Sequence, residues 1–306
     1  MCLVTCFRSE RVGTDTWQYL NYGAYLMTDN SDSRFFEWCS NSIYLLIDTF
    51  HWDTRVALYV FAVVTYLFLY LISRKYKVKL YYLVLFFFLG NFFSTTLNIS
   101  RQMASIPIII YALPYVFEKN QIKSLLYFVF AIIAGGFHSI SYVYMAFYLF
   151  RYLNFNKHKF IILLIIIAPL FVLQILPMQT ILTALTPAQY ARYIGDFSTD
   201  LNVTVFGRLY ALIIFSIQIY IFSKNNQSYH LVFGFSILST LALQGLSQEI
   251  GRVFFPMLFV IYIAYADYFT NKRNPILLAG LIIGMTYFCF KGISTNPDLN
   301  HYTTYF

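Results

Sequence analysis

Charged residues are scarce in this sequence. Of its 306 residues only 11% are Asp, Glu, Lys or Arg, whereas 59% are hydrophobic, and the mean hydropathy is +0.62. A soluble domain carries roughly 25% charged residues. The shortage excludes an ordinary soluble protein and predicts an integral membrane protein. The net charge of +8 is then expected in cytoplasmic loops, so we predict no nucleic-acid partner.

Cysteine is also rare, and the residues that could hold a metal are not grouped. Cys2, Cys6, Cys39 and Cys289 form no C-x-x-C pair, and the five histidines form no H-E-x-x-H pattern. The sequence also lacks a Gly-rich phosphate loop and a D-x-D pair. We therefore predict no disulfide framework, no metal and no cofactor.

Long hydrophobic runs are numerous. Crossing about 30 Å of hydrocarbon takes about 20 helical residues, because lipid offers the backbone no hydrogen-bond partner. The runs predict an all-α polytopic membrane protein with about 8–10 transmembrane helices, forming one domain over residues 1–306, in which residues 1–7 are the last turns of a first membrane helix. The candidate spans are residues 56–72, 80–97, 125–150, 160–176, 205–222, 229–246, 253–269 and 275–290.

One apolar segment, residues 104–117, is short and contains Pro107 and Pro114. Proline interrupts the hydrogen bonds of a helix, so we expect a broken or re-entrant segment here. Two arrangements fit. Either residues 104–117 dip without crossing, or they cross and residues 125–150 form a hairpin broken at Gly135-Gly136. Lys119 and Lys123 favour the second arrangement.

The distribution of cations predicts an orientation. Lysines concentrate in residues 73–79 and 151–159, at Lys224 and in residues 271–274, which we expect on the cytoplasmic side. Residues 8–55 and 178–204 then become outer loops, each with a short helix. Most outer cations are arginines, whose planar donor fork suits phosphate, and this favours an anionic ligand outside. These arginines are Arg8, Arg11, Arg34, Arg55, Arg101, Arg192, Arg208 and Arg252.

The segment from residue 7 to residue 23 is unusually polar. Asp15 and Gln18 have the spacing of a capping box, so Asp15 either starts a short helix at the membrane surface or contributes to a site. Arg8 and Arg11 are expected to share one helical face, directed at the phosphate of a substrate or of lipid headgroups.

Three further polar positions adjoin apolar runs. Glu37 is either a candidate base or a solvated loop carboxylate. The polar residues around Arg101, among them Gln102, favour a guanidinium that faces a ligand over one that extends to the lipid headgroups. His138 is either a buried imidazole satisfied by a hydroxyl or the proton acceptor of a reaction. The glycines of Gly135-Gly136 just before it predict a break or a close approach.

Two later segments complete the candidate residues. Residues 186–197 predict a short helix carrying Arg192 and Tyr193, which suits either a sugar phosphate or the bilayer surface. Glu249 and Arg252 lie three residues apart and precede Pro256. This pattern predicts either a salt bridge at the start of a helix or a kinked helix start that holds a polar ligand.

Taken in order along the chain, these motifs resemble the EpsG family of bacterial polysaccharide polymerases, which are related in role to the Wzy O-antigen polymerases. The match runs over nearly the whole chain. The residues that carry it are Arg8 or Arg11 with Gly13-Thr14-Asp15 and Tyr19, then Glu37, Arg101-Gln102, Phe137-His138-Ser139 and Arg252.

The resemblance implies a multi-pass protein of the bacterial cytoplasmic membrane that joins polyprenyl-diphosphate-linked oligosaccharide repeat units at the outer face. From these residues we hypothesise that Arg101, Arg252 and Arg192 hold the lipid diphosphate. His138 would take the proton of the acceptor hydroxyl, with Asp15 or Glu37 as the alternative base. The expected partners are this lipid-linked substrate, membrane lipids, a chain-length regulator and a flippase.

Two other functions remain open from the sequence. One is a glycosyltransferase that uses a sugar on a polyprenyl monophosphate. The other is a flippase or transporter of lipid-linked sugars, for which internal repeats are typical, although the two halves of this sequence are not similar.

Overall fold

The computed structural model describes residues 1–13, 15–21, 37–153, 156–172, 205–225, 229–242, 254–272 and 274–294. The chain divides into two compact units, one of Met1–Arg151 with Pro275–Phe306 and one of Tyr152–Asn274. The residues described are helical, without a β-strand, and this confirms the all-α prediction for that part of the chain.

The helices are numbered in chain order. The first unit contains α1 (Cys2–Cys6), α2 (Trp38–Thr49), α3 (Arg55–Lys75), α4 (Leu80–Leu89), α5 (Phe92–Asn98), α6 (Ser100–Val116), α7 (Gln121–Phe137) and a 3₁₀ helix (Ser139–Tyr152). The second unit contains α8 (Lys157–Val172), α9 (Val205–Lys224), α10 (His230–Ala242) and α11 (Phe255–Asn271). The last helix, α12 (Pro275–Ser294), belongs to the first unit.

Among the described residues, α3 is the helix that is long and apolar enough to cross a membrane, with 21 residues. Helices α4 and α5 meet the same criteria together but are bent by 66°. Asn91, between them, has a φ of 67°, so the span expected at residues 80–97 is a bent pair instead of one continuous helix. The larger number of crossings stays a prediction.

Helix α6 continues through both of its prolines, so the interruption expected at residues 104–117 is wrong. Its side chains are buried almost throughout, and it packs between α3 and α7. A helix enclosed in this way has no water to satisfy its remaining backbone groups, and its neighbours hold it helical despite the amide hydrogens that Pro107 and Pro114 lack.

Residues 125–150 form a hairpin, as in the second arrangement expected from the sequence. Helix α7 ends at Phe137, and His138 has extended dihedrals, with φ −152° and ψ 122°. The 3₁₀ helix then returns along α7, where the Tyr127 hydroxyl donates to the Tyr144 carbonyl at 2.6 Å. The turn falls just after Gly135-Gly136, where the sequence predicts a break.

The first unit has two distinct ends. At one, which we call the lysine end, the Lys75 ammonium lies 3.9 Å from the centre of the Tyr115 ring. Arg151, near the end of the 3₁₀ helix, donates there to the Glu118 carbonyl at 2.6 Å. Arg55, at the start of α3, and His138 belong to the opposite end, where the elements of the candidate site begin or end.

In the second unit, lysines also gather at one end. The Lys157 ammonium donates to the Asn225 carbonyl at 2.5 Å. Lys224 and Lys272 line a cavity of about 240 Å³ together with Asp267. The lysines expected to share one side of the membrane therefore share one end of this unit.

Candidate functional site

The carboxylate of Glu37 joins three other residues at one point. Its Oε2 accepts a hydrogen bond from Arg101 Nη1 at 2.5 Å. Its Oε1 lies 2.6 Å from His138 Nδ1, and it accepts from the backbone N–H of Ser139 at 3.0 Å and from its hydroxyl at 3.2 Å. We call Glu37, Arg101, His138 and Ser139 the acid–base cluster.

Each member of the cluster stands where a helix begins or ends. Glu37 immediately precedes α2, Arg101 lies in the first turn of α6, and His138 is the turn residue between α7 and the 3₁₀ helix that Ser139 opens. Helix starts expose N–H groups that stabilise a carboxylate, and the Ser139 N–H does so here. The Ser40 hydroxyl fixes α2 against α7 by donating to the Phe137 carbonyl at 2.8 Å.

The side chains of the cluster differ in their exposure to solvent. The exposed fraction of the side chain is 9% for Glu37, 19% for Arg101 and 29% for His138. Glu37 is therefore not the solvated loop carboxylate that the sequence left open. Burial of a carboxylate is tolerated because a guanidinium and three hydrogen-bond donors surround it.

This surrounding also controls the ionisation of Glu37, which lies outside α3 and outside the bent pair α4–α5. Burial alone raises the pKa of the Glu37 carboxyl. The hydrogen bond from His138, the positive charge of Arg101 and the Ser139 N–H outweigh burial and lower that pKa from 4.5 to about 2. Glu37 is thus a carboxylate at neutral pH.

The contact with Glu37 decides which nitrogen of His138 is basic. A carboxylate only accepts, so the neutral imidazole places its hydrogen on Nδ1 and its lone pair on Nε2. Among the described residues, Nε2 has no hydrogen-bond partner. Carboxylate and imidazole therefore form a dyad whose Nε2 can accept a proton.

The polar segment near the start of the chain packs against the helix junction that precedes Arg101. Gly13 has a φ of +84°, and a Cβ atom there would lie 2.0 Å from the Leu97 carbonyl oxygen. The Asp15 N–H donates to the side chain of Asn98 at 3.1 Å. Gly13 and Asp15 thus dock against the end of α5, directly ahead of α6 and Arg101. As predicted, a short helix follows Asp15, at residues 16–21.

Arg8 and Arg11 lie in different environments. Residues 7–13 are not helical, so the shared helical face expected for the two arginines is wrong. Arg8 is fully buried and donates to the Thr16 hydroxyl at 2.9 Å and to the Ser100 hydroxyl at 2.7 Å. Arg11 is exposed.

Other expected site residues have separate positions. Gln102 is buried beside Arg101, and its carbonyl accepts from the Ser105 hydroxyl at 2.7 Å. Arg192, Tyr193 and Arg252 lie outside the described residues, so their roles stay predictions. Within the part of the chain that the structure describes, no three His, Cys, Asp or Glu side chains come together as metal ligands.

Two residues of the ordered motifs have contacts that the sequence alone does not indicate. Ser139 donates twice to Glu37, and Tyr19 places its ring centre 5.5 Å from the Arg101 guanidinium carbon. The sequence presents Glu37 and His138 as alternative bases, whereas in the structure they bind each other. The adjacency of His138 and Ser139 was the available signal for Ser139, but no local pattern links either residue to position 37.

Comparison with known proteins identifies a family. No curated protein and no solved structure matches the chain. The model of the EpsG family matches residues 1–306, the whole chain, which confirms the resemblance carried by the ordered motifs. The chain therefore belongs to the EpsG family, which is associated with polysaccharide biosynthesis by glycosyltransferase-like polymerases and with the membrane.

Proposed function

We propose that this protein is a membrane glycosyltransferase that polymerises polyprenyl-diphosphate-linked oligosaccharide repeat units at the outer face of the bacterial cytoplasmic membrane. Family membership supports the class of reaction. The observation that carries the mechanism is the Glu37 carboxylate, which holds the imidazole of His138 and the guanidinium of Arg101 together.

The reaction forms one bond and breaks one bond. A hydroxyl oxygen of the acceptor sugar bonds to the anomeric carbon of the donor sugar, while the bond from that carbon to the diphosphate oxygen breaks. The hydroxyl proton passes to Nε2 of His138, and the lipid diphosphate leaves with the electron pair. His138 is thus the general base, and Glu37 positions it.

Charge balance in the cluster suits this step. With His138 neutral, the charges of Glu37 and Arg101 sum to zero. Uptake of the acceptor proton makes the cluster +1 as the negative diphosphate departs. At about 4 Å and an effective dielectric constant of about 20, one such charge pair contributes about 4 kcal/mol.

Arg101 is proposed to contact the diphosphate. Glu37 engages Nη1, and a guanidinium has five N–H donors in a rigid fork, so one side can be held while another binds phosphate. The Tyr19 ring, whose centre lies 5.5 Å from the guanidinium carbon, adds a cation–π contact to Arg101. Arg192 and Arg252 are proposed as the further phosphate ligands.

The position of the cluster supports the outer face. Lys75 and Arg151 mark the lysine end of the first unit, which the positive-inside rule places in the cytoplasm. Glu37 and His138 lie at the other end. Lipid-linked substrates presented outside would therefore meet the cluster directly.

The proposal is tested by polymerisation with purified protein and the lipid-linked repeat unit, measuring chain length. His138→Ala and Glu37→Gln are expected to slow polymerisation by about 10²–10⁴-fold. Arg101→Ala is expected to abolish it, because both the diphosphate contact and the partner of Glu37 are lost.

Matched controls lie elsewhere on exposed surfaces of the chain. His158→Ala, Glu118→Gln and Arg74→Ala remove the same chemical groups from exposed positions and are expected to leave the rate unchanged. Unaltered chain length in His138→Ala protein would refute the proposed base. Use of a monophosphate-linked sugar as donor, or transfer of substrate across the membrane with no new glycosidic bond, would refute the polymerase.

A further inference from the structure

Two aromatic side chains adjoin the acid–base cluster without a role in it. Trp38 follows Glu37 in the chain, and 44% of its surface is exposed. Tyr142, one turn beyond Ser139 in the 3₁₀ helix, is partly exposed. A side-chain hydrogen bond joins the two residues, and the charge of Glu37 acts on the Tyr142 hydroxyl. Both rings therefore lie next to the dyad.

The two glycines before His138 make this arrangement possible. A Cβ atom on Gly136 would lie 2.7 Å from a ring carbon of Trp38, and one on Gly135 would lie 2.4 Å from the Tyr142 ring. Any side chain at these positions would displace a ring. The two aromatic rings thus pack directly on the backbone of Gly135-Gly136, which immediately precedes His138 in the chain.

The ordinary explanation for an exposed tryptophan in a membrane protein is the aromatic belt. In a belt the indole body meets lipid, and its N–H bonds to water or headgroups. Here the side chain of Tyr142 occupies the hydrogen-bonding position of Trp38. The Nε1–Cε2 edge of the indole thus lies against Gly136 inside the protein, and the exposed part of the ring is available to a ligand.

A pyranose ring is the ligand that fits. One face of the sugar presents aliphatic C–H groups, which suit an aromatic plane, while its hydroxyls point outward, where His138 can reach one of them. We infer that Trp38 and Tyr142, seated on Gly135-Gly136, form a platform that stacks the acceptor sugar and directs its hydroxyl to His138 Nε2. This inference rests on the proposed function, because the acceptor is a substrate of that reaction.

Direct binding can be measured because the chain has only three tryptophans. In Trp17→Phe/Trp52→Phe protein, Trp38 is the sole source of indole emission. Titration with the free oligosaccharide released by mild acid from the lipid-linked repeat unit is expected to shift and quench this emission. Adding Gly136→Ala is expected to remove the response, since the new methyl group displaces the indole.

Kinetics provide the second measurement. Trp38→Ala is expected to raise the KM for the acceptor about tenfold, with a smaller change in kcat, and Trp38→Phe is expected to recover part of the loss. Trp52→Ala is the matched control, because Trp52 is 52% exposed and stacks on Phe50 with ring centres 5.0 Å apart. A merely structural role would not separate KM from kcat or respond to phenylalanine.

The outcomes separate this inference from the proposed function. Emission that responds to oligosaccharide while no polymer forms would support the platform and refute the polymerase. Polymerisation in which Trp38→Ala behaves as Trp52→Ala would refute the platform and leave the polymerase standing. The platform would also be overturned if free oligosaccharide left the emission unchanged at the concentration at which the lipid-linked repeat unit saturates polymerisation. Strong quenching of Trp38 by brominated lipid would overturn it as well.

Discussion

The decisive residue is Glu37, because one carboxylate serves two partners. Its two oxygens bind different partners. Oε2 bonds to Arg101, and Oε1 bonds to His138 and Ser139. A single substitution there disturbs both the proposed base and the proposed phosphate ligand. This differs from Asp15, the other acidic candidate, whose N–H serves to dock the chain on Asn98.

Glu37 also makes stability depend on pH. Its pKa in the folded protein is about 2, below the ordinary value of 4.5, so the unfolded chain binds the proton more tightly. The stability this provides is fully present above pH 4.5 and is lost as the pH falls toward 2. The difference corresponds to about 3 kcal/mol.

We therefore expect Glu37→Gln to lower the thermal midpoint of the purified protein at neutral pH. The gap from the unsubstituted protein should close progressively as the pH falls from about 4.5 toward about 2. Glu118→Gln, at an exposed position, serves as the control. A gap that stays constant over this range of pH would show that the charge of Glu37 is not what stabilises the fold.

At the scale of elements, the site depends on how the chain enters α6. Helix α5 ends at Asn98 and α6 begins at Ser100. The segment containing Gly13 and Asp15 packs against this junction, and Arg8 bonds to Ser100 from the interior. Arg101 is thus aimed by residues far from it in the chain. Because Arg8 is buried and bonds to Ser100, it stabilises the start of α6, next to Arg101.

Gly13 provides a direct test of this support. Gly13→Ala introduces a Cβ atom 2.0 Å from the Leu97 carbonyl at a φ of +84°, so the segment must shift. We expect a lower thermal midpoint, with a loss of about 1–3 kcal/mol, together with weaker polymerisation.

Gly280→Ala is the matched control, because a Cβ atom at Gly280 in α12 meets nothing within 4 Å. Alanine there is expected to stabilise the helix by up to about 1 kcal/mol. If Gly13→Ala were as benign as Gly280→Ala, the docking of this segment would not be what positions Arg101.

Part of this architecture could be predicted from the sequence. Hydropathy located α3 closely, and Gly135-Gly136 indicated the turn at His138, because both depend on local composition. The continuity of α6 through Pro107 was not predictable in this way, since it depends on burial between α3 and α7. The pairing of Glu37 with His138, 101 residues apart, likewise depends on tertiary packing.

At the scale of the whole molecule, the first unit has a polarity that sidedness measurements can test. In a background with the four native cysteines replaced by alanine, Glu10→Cys and Lys123→Cys place one thiol on each side, both at exposed positions. A membrane-impermeant maleimide added to intact cells is expected to label Glu10→Cys, and to label Lys123→Cys only after permeabilisation.

Equal labelling of both single-cysteine proteins in permeabilised cells is the control for thiol reactivity. The reverse pattern in intact cells would place the acid–base cluster in the cytoplasm. The outer-face reaction would then be excluded, whatever the geometry of the cluster.

The order in which the ribosome supplies the cluster has a consequence for biogenesis. Glu37 emerges first, Arg101 follows 64 residues later, and His138 comes last. Two opposite charges can therefore neutralise each other during membrane insertion before the imidazole is synthesised. A nascent chain halted ahead of the hairpin would then contain both partners of the ion pair but lack the proposed base, which arrives only with the turn at position 138.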